Sequence, residues 1–160
     1  MLLSFTDLSK STVLDIGCGC GDLLPLIREK FTKVRYVGID QQIQFIEIAR
    51  ERYENQADAQ FVIADIANCI LPKADHVLAS GVFNYKSSDL GYYHEMISKF
   101  YRVAQKSLVF NMLNSAVCKP TSLLTAHNPS EISNFCRTLS RDVTTITDYL
   151  SDDFTICMKH

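Results

Sequence analysis

The 160-residue sequence predicts an α/β domain with a doubly wound, mostly parallel sheet and helices on both faces. Five short apolar runs alternate with stretches of helical period, which is the order that produces parallel strands joined by crossovers. The last two β-type runs are separated only by residues 150–152 or so. A gap that short permits a hairpin but no helical crossover. We therefore expect seven strands, with an antiparallel hairpin at the C-terminal end.

Three buried strands are predicted in the first half of the chain, because short apolar runs there end at a glycine or an acid. They comprise residues 12–16, 34–39 and 60–64. Apolar residues at helical spacing follow the first two strands. These are Leu23, Leu24, Ile27 and Phe31 for the first helix, and Ile43, Ile46, Ala49 and Tyr53 for the second. Asp22 is the expected N-cap of the first helix, and Pro25 is tolerable in its first turn.

The second half continues the alternation before it changes character. The expected strands are residues 76–79 and 107–111, followed by the hairpin strands 143–149 and 153–160. A clear amphipathic helix is predicted from Tyr93 to Ala104. Asn128 followed by Pro129 and Glu131 is typical of a helix start, with Asn as cap. Residues 111–127 form the one long irregular segment, and long loops are often functional.

Composition excludes several classes of function. The formal net charge is −2 and no run of basic residues stands out, so we expect no nucleic-acid partner. No apolar run approaches the roughly 20 residues that span a bilayer, so we expect no membrane partner. The six cysteines form no C-x-x-C pair, and the four histidines do not stand at metal-ligand spacing beside them. We expect no metal site, and free thiols in a reducing, cytoplasmic compartment.

The strongest local signal is the run Val13-Leu-Asp-Ile-Gly-Cys-Gly-Cys-Gly-Asp22. Glycines at alternate positions let a strand turn sharply into a helix and let a ligand press against bare backbone. The helix N-terminus that follows would offer unpaired amides to an anionic group. Asp40 ends the next strand about where the ribose of a nucleotide cofactor would lie.

These motifs resemble those of the class I S-adenosylmethionine-dependent methyltransferases. Residues 15–21 are similar to the first motif of that family, and residues 36–40 to the strand that ends in its ribose-binding acid. Residues 61–66 look like the adenine-contacting motif and residues 75–81 like the fourth motif. The resemblance covers most of the chain in the family order. It implies a Rossmann-like fold, with the antiparallel seventh strand between the fifth and the sixth.

The resemblance also implies cofactor-binding residues for S-adenosylmethionine and its product S-adenosylhomocysteine. They are Asp15, Gly17, Cys18, Gly19, Gly21, Asp40, Gln41, Asp65, Ile66 and Ser80. The glycines would border the methionine half with Asp15 near its ammonium, and Asp40 would accept from the ribose hydroxyls. Asp65 would accept from the adenine amino group, with Ile66 against the ring. Asp40 and Asp65 have an alternative role as helix caps, and Asp15 could instead hold the glycine loop.

A nicotinamide-dependent dehydrogenase is the nearest competing interpretation, since it also uses a glycine loop and a ribose acid. Its fingerprint is G-x-G-x-x-G, whereas residues 17–21 read G-x-G-x-G. Such an enzyme also needs room for the nicotinamide half and usually a substrate domain, for which this chain is too short.

The acceptor side is expected at the exit of the fourth strand, because ligands of open α/β sheets gather at the carboxyl ends of the strands. Asn84 and Tyr85 are the predicted catalytic residues there, with Ser80 beside them. Tyr92 and Tyr93 could also line a pocket, with a place in the core as the alternative for Tyr93. His127 is the one histidine that could act as a base, and its alternative is a surface or capping role just before Asn128. The family's amine-modifying branch carries Asn/Asp-Pro-Pro-aromatic at this point, and this chain does not. We expect a small-molecule acceptor of unassigned identity.

Only about a dozen residues precede the first expected strand, whereas most relatives carry an N-terminal helical lid. We expect residues 1–160 to be a single cofactor-binding domain without most of that lid. A partner subunit or a homodimer could then close the site. The alternative to an active enzyme is a non-catalytic cofactor-binding module within a methyltransferase complex.

Overall fold

The computed structural model describes residues 2–89 and 91–160, and it contains the predicted seven-stranded sheet. The strands are β1 (Thr12–Ile16), β2 (Arg35–Asp40), β3 (Ala59–Ile63), β4 (Ala74–Ala79), β5 (Ala104–Leu113), β6 (Asp142–Ile146) and β7 (Asp153–Lys159). Their order across the sheet is β3-β2-β1-β4-β5-β7-β6. Strand β7 is antiparallel to β5 and β6, and the other neighbouring strands pair in parallel. The predicted hairpin and the insertion of β7 between β5 and β6 are confirmed.

In the described residues, four α-helices and a 3-10 helix lie between the strands, and a second 3-10 helix precedes β1. They are α1 (Leu23–Lys30), α2 (Ile43–Arg52), α3 (Tyr92–Val103) and α4 (Pro129–Leu139), with 3-10 helices at Leu2–Ser4 and Val82–Asn84. Helices cover both faces because β1 alternates its side chains between two apolar clusters. Val13 packs with Leu24 of α1 and Ile46 of α2 on one face, while Leu14 packs with Phe100 of α3 on the other. The doubly wound architecture is confirmed.

The strand boundaries differ most from the prediction at β5. The helix expected to reach Ala104 ends at Val103. Strand β5 begins at Ala104 and extends to Leu113. Its antiparallel register with β7 runs from Ser107 opposite Lys159 to Leu113 opposite Asp153, which extends β5 past the predicted end at residue 111. At its start, Ala104 pairs in parallel with Ala74 of β4. The irregular segment expected at residues 111–127 therefore starts after Leu113.

One of the two predicted helix caps is confirmed and the other is wrong. Oδ1 of Asn128 accepts from the amides of Ser130 (2.9 Å) and Glu131 (3.4 Å), as expected for an Asn cap before Pro129. Asp22 occupies the N-cap position of α1, but its side chain makes no cap hydrogen bond within the described chain. Its backbone is already helical (φ −68°), and its carboxylate instead pairs with Arg52 of α2.

No helix within residues 2–89 and 91–160 is long and apolar enough to cross a membrane.

Candidate active site

The residues predicted to bind a cofactor lie along the carboxyl edge of the parallel strands. The glycine loop follows β1, Asp40 ends β2, Asp65 lies two residues after β3, and Ser80 follows β4. The order in which strands are added to the sheet reverses at β1, since β2 lies on one side of β1 and β4 on the other. Such a switch point opens a crevice at the strand ends, which is where open α/β sheets bind their ligands.

Two of the three glycines in the loop are required by packing, and the third borders open space. All three have positive φ: +70° at Gly17, +54° at Gly19 and +77° at Gly21. A Cβ at Gly17 would lie 2.5 Å from Cγ2 of Val82, and one at Gly21 would lie 2.8 Å from Cε2 of Tyr53. A Cβ at Gly19 would meet no atom of the described residues within 4 Å. Gly19 is therefore where a ligand could approach the bare backbone.

The amides of residues 17–19 are engaged in hydrogen bonds within the protein. The amides of Gly17 and Cys18 both donate to the carbonyl of Ile39, at 2.7 and 3.1 Å. The amide of Gly19 donates to Oδ2 of Asp40 (3.0 Å). These bonds fasten the loop to the end of β2 and leave those amides unavailable to a phosphate.

The side chain of Cys18 is buried, with its Sγ over β2. A Cβ at Gly38 would come within 2.7 Å of that sulfur, so the two residues pack directly on each other. Burial also raises the pKa of the Cys18 thiol well above its ordinary range. The side chain of Cys18 is thus occupied by packing, and a cofactor contact of this residue would have to involve its backbone.

Asp15 is a buried carboxylate with one oxygen unsatisfied. Its side chain is 2% exposed, and the hydroxyl of Tyr36 donates to its Oδ2 at 2.5 Å. Its Oδ1 is buried and has no hydrogen-bond partner in the described part of the chain. Burial raises the pKa of Asp15 to about 7, with a further rise from the charge of Asp40 and an opposing effect from the Tyr36 bond. A cationic donor placed at Oδ1 would satisfy this oxygen and favour its ionised form.

Asp40 is half-buried, and both of its carboxylate oxygens accept hydrogen bonds from backbone amides. Besides the bond from Gly19, its Oδ1 accepts from the amide of Gln42 at 2.8 Å, at the start of α2. Gln42 occupies the N-cap position of α2, so the alternative role of Asp40 as the cap of that helix is wrong. Each oxygen keeps a further acceptor site, so these bonds leave room for ribose hydroxyls. Gln41 beside it is exposed.

Asp65 shapes the turn that follows β3. Its Oδ1 accepts from the amide of Ala67 (2.9 Å) and its Oδ2 from Nδ2 of Asn68 (2.7 Å). The hydrogen bond from Asn68 is the main cause that lowers the pKa of this exposed carboxyl. Ile66 beside it is half-buried against the core.

A lysine that sequence reasoning missed also contacts this turn. Nζ of Lys99, on α3, donates to the carbonyls of Ile66 (2.7 Å) and Ala67 (2.9 Å). Nothing in the local sequence around Lys99 marks it, because its partners lie more than thirty positions away.

On the acceptor side, a chain of hydrogen bonds fixes the exit of β4. The amide of Gly81 donates to Oδ1 of Asn111 (2.8 Å), and Nδ2 of Asn111 donates to Oδ2 of Asp153 (2.6 Å). Sequence reasoning missed Asn111 and Asp153, because their pairing depends on the β5–β7 register. Ser80 precedes Gly81 and is exposed at this edge.

Of the two predicted catalytic residues, Asn84 has its side chain hydrogen-bonded within the protein, whereas Tyr85 has an exposed ring. Oδ1 of Asn84 accepts from the amide of Leu113 (2.9 Å), and its carbonyl accepts from the amide of Thr125. The ring of Tyr85 is 59% exposed. The fold thus brings the long segment after β5 against the exit of β4.

His127 and Tyr93 also contact the residues at the exit of β4. Nε2 of His127 lies 3.1 Å from the carbonyl of Phe83, so Nε2 carries the proton and donates there. Burial lowers the pKa of His127, although the Phe83 bond opposes the effect. Its ring packs edge-on against Tyr93 at 4.4 Å. The hydroxyl of Tyr93 in turn donates to the carbonyl of Tyr85 (3.0 Å).

Comparison with known proteins places this geometry in a family. The model of a family described as methyltransferase domain matches residues 13–107, which contain β1 to β4, α1 to α3 and the first residues of β5. A Mycobacterium tuberculosis protein named as a methyltransferase is 28% identical over 156 residues, covering 92% of each chain. The malonyl-[acyl-carrier protein] O-methyltransferase of Acetivibrio thermocellus is 35% identical over 94 residues, which are 56% of this chain and 32% of that protein. The chain thus spans about a third of this second relative.

Solved structures share the fold. The magnesium protoporphyrin IX methyltransferase of Synechocystis PCC 6803, with bound S-adenosylhomocysteine, superposes with a TM-score of 0.75 at 18% identity. The match covers 96% of this chain and 75% of that one.

Proposed function

This chain belongs to the class I S-adenosylmethionine-dependent methyltransferases, and on that basis we propose that it transfers a methyl group to a small-molecule acceptor at the carboxyl edge of its sheet. S-adenosylmethionine is the cofactor of this family. The small-molecule class of the acceptor and the roles of the individual residues are what we propose beyond the family.

The observation that carries the proposal is the pairing of a buried, unsatisfied acid with a bare stretch of backbone. Oδ1 of Asp15 lacks a donor among the described residues, and Gly19, four positions later, faces open space. The cofactor has an ammonium on its methionine half, which is a donor and a cation. An ammonium on Asp15 would remove the cost of a buried unpaired oxygen, which is about 1–3 kcal/mol or more for a charged group. The residues therefore fit the cofactor.

The remaining cofactor contacts follow the strand ends. Asp40 accepts from the ribose hydroxyls while it holds Gly19, and exposed Gln41 lies beside it. Asp65 accepts from the adenine amino group, and Ile66 covers the ring. Gly17 and Gly21 shape the loop through their packing, and Ser80 borders the crevice from β4.

The bound cofactor supplies an already activated methyl group, so the protein's task is to align acceptor and methyl and to exclude water. Positioning of this kind can supply about 7–11 kcal/mol of the barrier. Tyr85 offers an exposed aromatic face for an acceptor, while Asn84 fixes the backbone on which it stands. His127 is neutral with Nδ1 free of the proton, so it can accept a proton from an acceptor that must lose one.

A small molecule is favoured over a nucleic-acid acceptor because the sequence shows no basic stripe of the kind that nucleic acid requires. The six free thiols support a reducing, cytoplasmic compartment.

The proposal is tested by incubating the purified chain with S-adenosylmethionine labelled in its methyl group and a panel of small acceptors: carboxylic acids, phenols, amines and thiols. Label is expected on one class only, and Tyr85→Ala should abolish that transfer without loss of cofactor binding. Absence of transfer to every class, in a chain that binds the cofactor, contradicts the proposal.

A second candidate is a cofactor-binding subunit that needs a partner or a second copy. Large apolar side chains stand exposed on three loops at the carboxyl edge, where a partner or a second copy could cover them. They are Tyr85, Leu123 and Leu150. Under this candidate, transfer appears only when a partner is added or when the chain concentration is raised, and sedimentation shows the assembly.

A further inference from the structure

Lys99 of helix α3 contacts the turn that follows β3, at the cofactor side of the sheet. Its ammonium donates to the carbonyls of Ile66 (2.7 Å) and Ala67 (2.9 Å), in the turn that follows β3. We infer that Lys99 is a positioning residue that fixes this turn and thereby sets the selectivity of the site for adenine. The inference rests on the proposed function, which places Asp65 and Ile66 against the adenine.

The turn at residues 65–69 belongs to no helix or strand, so no helix or sheet hydrogen bonds fix its position. Its own bonds are local: Asp65 accepts from Ala67 and Asn68, and its carbonyl accepts from the amides of Asn68 and Cys69. Local bonds determine the shape of a turn but not its position relative to the sheet. Within residues 2–89 and 91–160, the two bonds from Lys99 are the hydrogen bonds that join this turn to another helix or strand.

Apolar packing alone would hold the turn less specifically. Ile66, Ala67 and Cys69 rest against the same core cluster as Met96 and Phe100 of α3. Packing of partly buried side chains is non-directional and tolerates small shifts. Hydrogen bonds from an ammonium are shorter than hydrogen bonds between neutral groups and about twice as strong. Lys99 therefore determines where the turn sits.

The position of the turn determines which purine the site accepts. An ionised Asp65 can only accept hydrogen bonds, so it matches the exocyclic amino group of adenine. Hypoxanthine carries a carbonyl oxygen at that place, which would meet the carboxylate without a proton between them. A polar site of this kind rejects the mismatched analogue strongly, provided that the acid is held in register. If the turn were free to shift, Asp65 could turn to solvent and the rejection would weaken.

The test compares S-adenosylhomocysteine with its deaminated analogue, S-inosylhomocysteine, by calorimetric titration of the full chain. Lys99→Met keeps the length and the helix propensity but removes the donors. Lys99→Arg keeps the charge and the donors. Arg102→Met is the matched control, since it removes an exposed cation from the same helix.

The wild-type chain is expected to prefer S-adenosylhomocysteine. Lys99→Met should lose about tenfold in affinity for it, the equivalent of about one charge-assisted bond, while its affinity for the inosyl analogue changes little. The preference therefore narrows. Lys99→Arg should restore most of the preference, and Arg102→Met should match the wild type.

Two results would overturn the inference alone: wild-type binding by Lys99→Met, or an equal loss for both ligands, which would mean that Lys99 only stabilises the fold. Failure of the wild-type chain itself to bind S-adenosylhomocysteine would overturn the proposed function and this inference with it. Circular dichroism checks the fold of each variant. If Lys99→Met does not fold, Lys99→Gln replaces it with the same outcomes.

Discussion

The amide of Gly19 donates a 3.0 Å hydrogen bond to Oδ2 of Asp40, which ties the tip of the glycine loop to the end of β2. The bond joins two residues that sequence reasoning assigned to different halves of the cofactor. Under the proposed function, a single carboxylate therefore positions the backbone beside the methionine half and accepts from the ribose. Loss of its charge should affect both halves at once.

Replacement of Asp40 tests this double role. Asp40→Asn keeps an oxygen for Gly19 but loses the charge, and Asp40→Ala loses both. We expect S-adenosylhomocysteine affinity to fall in that order, by about 1.5–3 kcal/mol for each charge-assisted bond lost. Titration calorimetry measures the affinities, with Glu47→Gln on the exposed side of α2 as control. Unchanged affinity in Asp40→Ala would remove Asp40 from the cofactor site.

The loop glycines should separate binding from stability. In Gly19→Ala the new Cβ enters open space, so the fold bears only the positive φ, about 1–2 kcal/mol. The cofactor, however, would meet that methyl group. In Gly21→Ala the Cβ is forced against Tyr53 and Phe61, which adds about 1–3 kcal/mol of overpacking.

Thermal unfolding and calorimetry distinguish the two glycine variants. We expect Gly19→Ala to unfold a few degrees below the wild type and to lose cofactor binding, and Gly21→Ala, which bears the overpacking as well, to unfold at a still lower temperature. Tight binding by a folded Gly19→Ala would mean that the loop serves the fold only.

The pH dependence of stability should carry the signature of Asp15. Its pKa is raised by burial from an ordinary value of 3.8 to about 7. Between these values the native state holds a proton that the unfolded state has released, so the free energy of unfolding falls as the pH rises. Asp15→Asn should lack this decline. Urea unfolding at pH values from 4 to 8 measures both chains, and equal slopes would refute the buried, protonated Asp15.

Asn84 and Tyr85 should behave as a structural residue and a surface residue respectively. Asn84→Ala leaves the amide of Leu113 without its side-chain acceptor, which costs about 1–3 kcal/mol of stability. Tyr85→Ala removes an exposed ring and should leave the unfolding free energy within about 0.5 kcal/mol. Denaturant unfolding of both variants decides this. A destabilised Tyr85→Ala would show that its ring packs against the protein.

The fold was predictable because its signals are local. Alternating strand and helix periods give the parallel sheet, and the short gap before Asp153 gives the hairpin. The cap at Asn128 was equally predictable, since its partners lie two and three residues away. The composition of the glycine loop also permits the positive φ values that Gly17, Gly19 and Gly21 adopt.

The parts of the site that sequence reasoning missed depend on contacts between distant elements. Lys99 and Asn111 find their partners only when α3 and β7 are in place. Asp22 was assigned to its own helix because the approach of Arg52 from α2 is invisible in the sequence. Likewise, the engagement of the loop amides with Ile39 depends on the β1–β2 register.

Titration of the purified chain with S-adenosylhomocysteine, with NAD as control, tests the central claim most directly. The account predicts micromolar binding of S-adenosylhomocysteine and none of NAD. Because an ammonium at Asp15 favours its ionised form, binding near pH 7 should also release protons, seen as heats that depend on the buffer. Binding of NAD, or of neither ligand, would contradict the account.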